Sequence, residues 1–112
     1  MIMRIAVFLV ALSLIVCTVV VAARERPKPT THTVTIEGMT FQPGDLTVAA
    51  GDVVIWVNKD LVAHTATSSE PGIFDSKLIA PDKSWKVTLR NKGNFAYSCT
   101  YHPTMTAMLH VE

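Results

Sequence analysis

The sequence has little net charge: 10 Lys+Arg stand against 9 Asp+Glu over 112 residues. A nucleic-acid binder needs a basic excess to displace phosphate counterions, so no nucleic-acid partner is expected. Cysteine is scarce as well, and two Cys cannot build a disulfide framework. No stretch after residue 23 repeats apolar residues at helical spacing, which argues against an α-helical domain. Internal repeats and low-complexity tracts are missing. The length leaves room for one domain and not for two.

What is present begins with an apolar N-terminus. All of residues 1–23 are hydrophobic except Arg4, Ser13 and Thr18. Arg4 precedes an uncharged run of 19 residues from Ile5 to Ala23, and Arg24, Glu25 and Arg26 end it. Val21-Ala22-Ala23 puts small side chains at the spacing a signal peptidase reads, so residues 1–23 read as a secretory signal cleaved after Ala23. As a helix the same run would span about 28 Å, close to the bilayer core, which makes an uncleaved membrane anchor the alternative. Membrane contact would then run through residues 1–23 alone. Leu14-Ile15-Val16-Cys17 resembles a lipid-attachment motif, although a bulky Val16 before Cys17 is unfavourable and the plainer reading is a small apolar residue. Each option places residues 24–112 in the periplasm or another space outside the cytoplasm.

Removing residues 1–23 leaves 9 basic against 9 acidic residues, and Cys99 as the lone cysteine. A free thiol in an oxidising compartment invites oxidation. Something is expected to occupy that sulfur.

Residues 24–32 contain Pro27 and Pro29 among charges and read as an extended linker. Residues 33–112 then read as one domain of short strands. Thr33–Glu37 alternates with period two until Gly38 breaks it. Phe41-Gln42-Pro43-Gly44 reads as a turn, and Leu46-Thr47-Val48 as a short strand. Val53–Val57 is rich in β-branched residues and reads as a buried strand. Trp85, Val87 and Leu89 alternate with polar neighbours, Phe95–Cys99 reads as a strand, and Ala107, Leu109 and Val111 alternate near the end. Residues 59–82 are the least regular, with a short strand suggested at His64–Thr67. Seven or eight short strands in one small domain imply an all-β fold, an antiparallel β-sandwich.

The chemistry concentrates in Cys99-Thr100-Tyr101-His102-Pro103-Thr104-Met105. A thiolate, an imidazole and a thioether fall within seven residues. Fully extended, this stretch would span roughly 20 Å, but a turn containing Pro103 can fold all three side chains onto one point. A second imidazole, His64, lies just beyond the Trp56 strand. Two His and one Cys in a plane, with a weak axial Met, form a blue-copper site, soft enough for copper in both oxidation states.

These residues carry a family resemblance. Gly51-Asp52-Val53-Val54-Ile55-Trp56-Val57-Asn58, Ala63-His64-Thr65, the Cys99–Met105 loop and a closing strand ending Val111-Glu112 resemble the cupredoxins, especially their amicyanin and plastocyanin-like branch. The short spacing from His102 to Met105 is similar to that of amicyanins. The resemblance covers about residues 33–112. It implies a Greek-key sandwich of eight strands with one type 1 copper, held by His64, Cys99, His102 and axial Met105. It also implies that Asn58 lies near Thr100 and that the Asn58 backbone N–H donates to the Cys99 sulfur, an outer contact of the kind that orients ligands. His102, flanked by Tyr101 and Pro103, is implied to be the electron-exit surface. Two positions depart from the pattern. Tyr101 and Ala63 stand where relatives often have proline, so the Tyr101 amide is a possible second donor to the thiolate.

Plainer readings compete at each position. Taken alone, His64 reads as a polar loop residue; beside the Cys99 motif it reads as a ligand. Met108 competes with Met105 for the axial place, but shares a strand side with Thr106 and His110. Met39 reads as filling a core gap, His32 and His110 as solvated or partly packed, and Trp56 and Trp85 as core aromatics.

The leading function is a one-electron carrier shuttling between Cu(I) and Cu(II). It acts as a monomer and docks weakly and transiently on redox partner proteins. A copper storage or delivery protein is the alternative, although exposed Met-rich and Cys-x2-Cys motifs are lacking. An enzyme is not expected, because four protein ligands leave no open coordination position. A metal-free adhesion sandwich would leave Cys99, His64 and His102 unexplained.

Overall fold

The computed structural model describes residues 14–22 and 27–112. Most of the segment read as a signal or anchor (1–13 and 23) and part of the linker (24–26) lie outside the described residues. Leu14–Ala22 carries no regular secondary structure and is exposed. Among the described residues no helix is long and apolar enough to cross a membrane.

Eight strands form two four-stranded sheets. They are β1 (Thr31–Glu37), β2 (Thr40–Gln42), β3 (Asp45–Val48), β4 (Val53–Asn58), β5 (Thr67–Ser68), β6 (Ser84–Thr88), β7 (Gly93–Cys99) and β8 (His102–Val111). One sheet has the order β2-β1-β4-β6 and the other β3-β8-β7-β5. The sandwich of seven or eight strands expected from the strand patterns is therefore present, with the eight that the resemblance implies.

Three local expectations need correction. The sheets are mixed: β1 runs parallel to β4, and β3 parallel to β8. The chain crosses to the other sheet through β3 between β1 and β4, and that excursion lets β4 return in the same direction as β1. Phe41 belongs to a strand rather than a turn. It pairs with Ile36 in the β1–β2 hairpin and buries its ring, so only Pro43-Gly44 breaks the chain. Finally, β1 begins at Thr31, two residues earlier than the alternating pattern suggested, because its first residues pair with Val53 and Val54 of β4.

Period-two alternation builds the core. Val34 and Ile36 of β1, Val54 and Trp56 of β4, Phe95 and Tyr97 of β7, and Leu109 and Val111 of β8 are buried between the sheets. Trp56 meets Tyr97 of the opposite sheet edge-on at 5.6 Å, and Phe74 lies 5.3 Å from Trp56. Trp85 packs against this core while partly buried.

Burial also explains Tyr97. Removal from water pushes its phenol up to about 12, with a smaller opposing contribution from Trp56.

The same alternation aims the chemistry. On β7 the buried series Phe95, Tyr97 ends at Cys99, and on β8 the series Val111, Leu109, Ala107 ends at Met105. Both residues sit at the end of the sandwich where β4 finishes at Asn58.

At the opposite end, Asp52 fastens the start of β4. It accepts hydrogen bonds from the amides of Thr30 and Ala49, each at 3.0 Å, and lies 2.9 Å from His32 Nε2. His32, read as solvated or partly packed, is half-buried and a carboxylate partner.

Candidate metal centre

The β7–β8 hairpin sets two donors face to face. Cys99 pairs with His102 across a two-residue turn, Thr100-Tyr101. The register then shifts: Ser98 pairs with Thr106, so β8 carries extra residues opposite the end of β7. Pro103, which has no N–H for a ladder, sits exposed in this irregularity. The bulge lets His102 turn toward Cys99 while Met105, three residues on, points to the core side and is 4% exposed. Met108, the competitor for the axial place, is only half-buried.

The third donor arrives from the loop after β4. Asn58 is fully buried, and its side chain holds that loop together. Its amide nitrogen donates to the carbonyls of Val62 (2.8 Å) and Ile79 (2.9 Å), and its Oδ1 accepts the Asp60 N–H (3.0 Å). His64 is pinned by two backbone bonds to Ile79, 3.2 Å from the His64 amide and 2.7 Å to its carbonyl. The loop that looked irregular is therefore ordered around one buried amide.

His64, Cys99 and His102 converge. Their donor atoms all lie within 4.8 Å of one another. Cys99 Sγ is 3.7 Å from His64 Nδ1 and 3.6 Å from His102 Nδ1. His64 and Cys99 are wholly buried, and His102 is partly exposed. Among the described residues, both cysteines are free, Cys17 being exposed.

A simple test asks whether this triangle fits a metal. Two ligands on one ion, at about 2.0 Å for imidazole and about 2.3 Å for thiolate, are separated by roughly 3.5–3.7 Å at tetrahedral or trigonal angles. Both sulfur–nitrogen edges meet that requirement. Hydrogen bonding is a poorer account, because a thiol has one proton and two imidazole nitrogens face it. A soft thiolate with two imidazoles suits copper.

The contacts around the sulfur differ from expectation. The Asn58 amide donates to the Lys83 carbonyl at 2.9 Å and not to Cys99. The donor to Sγ is the backbone N–H of Thr65, at 3.3 Å. Thr65 Oγ1 also accepts the Thr100 amide at 2.9 Å and lies 3.2 Å from Thr100 Oγ1. Thr65, not Asn58, ties the two donor-bearing loops together. The Asn58 N–H is already taken by the Lys83 carbonyl and its side chain by its own loop, whereas Thr65 directly follows His64. Its place in the Ala63-His64-Thr65 motif was the available signal. The Tyr101 amide makes no hydrogen bond to Sγ, so the second donor considered above is not formed.

Asp60 is a further group missed by sequence reasoning. Its Oδ2 lies 2.8 Å from His64 Nε2. Partial burial pushes its carboxyl upward, but the Met39 amide, His64 and the Gly38 amide outweigh this and hold it below the ordinary value. Met39, read as a core filler, sits instead in the β1–β2 turn, 41% exposed. His110, read as solvated or partly packed, lies 2.7 Å from Asp45 and 2.6 Å from Asn94 on the outer face of its sheet.

Comparison with known proteins agrees with this geometry. Residues 8–111 match the family model of the cupredoxin-like domain. Over 95 residues the chain is 30% identical to amicyanin-alpha of Methylorubrum extorquens, covering 81% of this chain and 79% of that protein. It is 29% identical over 81 residues to amicyanin of Paracoccus versutus, covering 69% of this chain. That match spans 61% of the relative, less than two thirds of its length. A solved structure of an oxidised amicyanin mutant superposes with a TM-score of 0.66 at 25% identity, covering 71% of this chain and 80% of that one. With the family match running over nearly the whole sandwich and the donor triangle at its end, the chain belongs to the cupredoxin-like family, in the branch of the amicyanins and plastocyanins.

Proposed function

We propose that this cupredoxin is a one-electron carrier with a single type 1 copper, passing electrons between redox proteins outside the cytoplasm. His64, Cys99, His102 and Met105 would hold the ion. When bound, the ion supplies a Cu(I)/Cu(II) couple. The single observation that carries this reading is the triangle of one cysteine sulfur and two imidazoles, with edges of 3.6 and 3.7 Å and with Cys99 and His64 buried.

The chain's own part is to keep that triangle fixed and dry. Cys99 and His64 are removed from water, and the surrounding hairpin and loop are hydrogen-bonded independently of any ion. A donor set held by such bonds would keep the reorganisation accompanying electron movement small. It also disfavours storage or delivery, which needs an easy route for the ion. The donor nearest to water is His102, and its neighbours Tyr101 (55% exposed) and Pro103 flank it at the surface. Leu61, Val62 and Leu78 are exposed apolar residues on the loops that carry or brace His64. Such a surface suits brief docking of redox proteins, with the electron leaving through the His102 edge. With four protein ligands, no position remains for a substrate.

The test is the visible spectrum of the copper-loaded, oxidised protein. An intense thiolate-to-copper charge-transfer band is expected. It should vanish in Cys99→Ala and persist in His32→Ala. A colourless oxidised holoprotein would sink the reading, as would a band that survives loss of Cys99.

A further inference from the structure

The β1–β2 turn, Gly38-Met39, joins Glu37 to Thr40 and has a left-handed backbone at both residues, with φ of 62° and 60°. For Met39 this is a conformation that side chains rarely adopt. Its consequence is that two consecutive amides point at one carboxylate. Gly38 N–H donates to Asp60 Oδ1 at 2.7 Å and Met39 N–H to Asp60 Oδ2 at 2.9 Å, across 22 and 21 residues of sequence. The Asp60 amide is held in turn by Asn58 Oδ1 at 3.0 Å. Two bonds thus hold the carboxylate and a third holds the Asp60 backbone before it meets His64.

An ionised carboxylate only accepts hydrogen bonds. The ring nitrogen facing Asp60 at 2.8 Å, His64 Nε2, must therefore carry the proton. In the neutral ring the lone pair then belongs to Nδ1, the nitrogen that faces Cys99 Sγ at 3.7 Å. His64 is wholly buried, so water offers no substitute partner.

We infer that Asp60 is a positioning residue: clamped by the Gly38-Met39 turn, it sets the tautomer and ring orientation of His64 so that Nδ1 is presented to the metal. This rests on the copper-site reading given above. It extends the site to a hairpin turn in the other sheet, whose exposed Met39 lies at the same end of the molecule.

The experiment uses the full chain with Zn(II) as probe, in competition with a chelator, and nitrogen-15 spectra of the His64 ring in the zinc-loaded and metal-free protein. Asp60→Asn is nearly isosteric but presents an amide NH2 to groups that are all donors. Asp60→Ala removes the acceptor outright. Loss of such outer hydrogen bonds typically weakens metal binding 10–100-fold, and a drop of about that size is expected for both variants. In the metal-free protein the His64 Nε2–H signal, single and sharp in the wild type, should give way to mixed tautomers in the variants. A purely structural role for Asp60 would not change the tautomer. If Asp60→Ala does not fold, Asp60→Asn carries the test. Wild-type Zn(II) affinity with an unchanged Nε2–H signal in Asp60→Asn would overturn the inference. The two readings fail separately: a wild-type chain without the copper–thiolate band fails the copper site itself, while a wild-type band beside unaltered Asp60 variants fails only the role of Asp60.

Discussion

Thr65 donates its backbone N–H to Cys99 Sγ across 3.3 Å, and its hydroxyl oxygen accepts the Thr100 amide at 2.9 Å. One residue therefore fastens the loop that bears His64 to the hairpin that bears Cys99 and His102. Thr65→Val separates its two parts, keeping the amide and removing the hydroxyl. The Thr100 amide then loses its acceptor, at a cost of about 1–3 kcal/mol if water cannot replace it. Denaturant unfolding should show that loss, while the copper–thiolate band keeps its position because the sulfur contact survives. A Thr65→Val protein as stable as the wild type would remove Thr65 from its tying role.

Asp52 gives a pH prediction at the other end of the sandwich. The Thr30 amide, His32 and the Ala49 amide lower its carboxyl from 3.8 to about 2. A group whose folded value is depressed stabilises the fold above its unfolded value and loses that contribution as pH falls toward its folded value. The contribution is thus complete above about pH 4 and fades between about pH 4 and pH 2. Urea midpoints of wild type and Asp52→Asn should differ at neutral pH and converge across that window. Curves that stay parallel down to pH 2 would show that Asp52 is not the group titrating.

Tyr97 makes the opposite prediction in alkali. Burial raises its phenol from 10.0 to about 12, and a raised acid favours the folded state below its unfolded value. Stability should decline as pH rises from about 10 toward 12, because the unfolded chain ionises this phenol first. Phenolate absorbance should show Tyr97 ionising only near pH 12 or together with unfolding. In Tyr97→Phe the alkaline decline should be shallower.

The fold and donor set were largely legible because both depend on short-range pattern. Cys99 and His102 are joined by a two-residue turn, and Phe95, Tyr97 and Cys99 alternate on one strand, so a local reading sufficed. His64 needed the family motif, since nothing local distinguishes it from a loop histidine. Strand direction was not legible: alternation in Thr33–Glu37 and Val53–Val57 says which face is buried, not that β1 and β4 run parallel. Nor was the clamp on His64. Asp60 looks like any surface acid until tertiary folding brings the Gly38 and Met39 amides to it. Asn58 was misplaced for a related reason. The resemblance implied its place beside the donor loops, but which of several nearby amides reaches the sulfur is decided within a few ångström.

Leu61 tests the proposed docking surface without a known partner. It is 95% exposed, on the loop between Asn58 and His64, so it contributes almost nothing to the core. Leu61→Lys should leave stability within about 0.5 kcal/mol, as exposed substitutions usually do. Electron self-exchange between oxidised and reduced copies requires two such surfaces to meet. Covering one leucine is worth about 1.5–3 kcal/mol, so losing even half of that contact on each copy slows the encounter-limited rate by about tenfold or more. The added lysines repel one another, and part of the slowing should be relieved by salt. Line broadening of ring resonances in partly oxidised samples measures the rate directly. A self-exchange rate unchanged by Leu61→Lys at low salt would move the docking surface away from this loop, while leaving the donor triangle and its copper untouched.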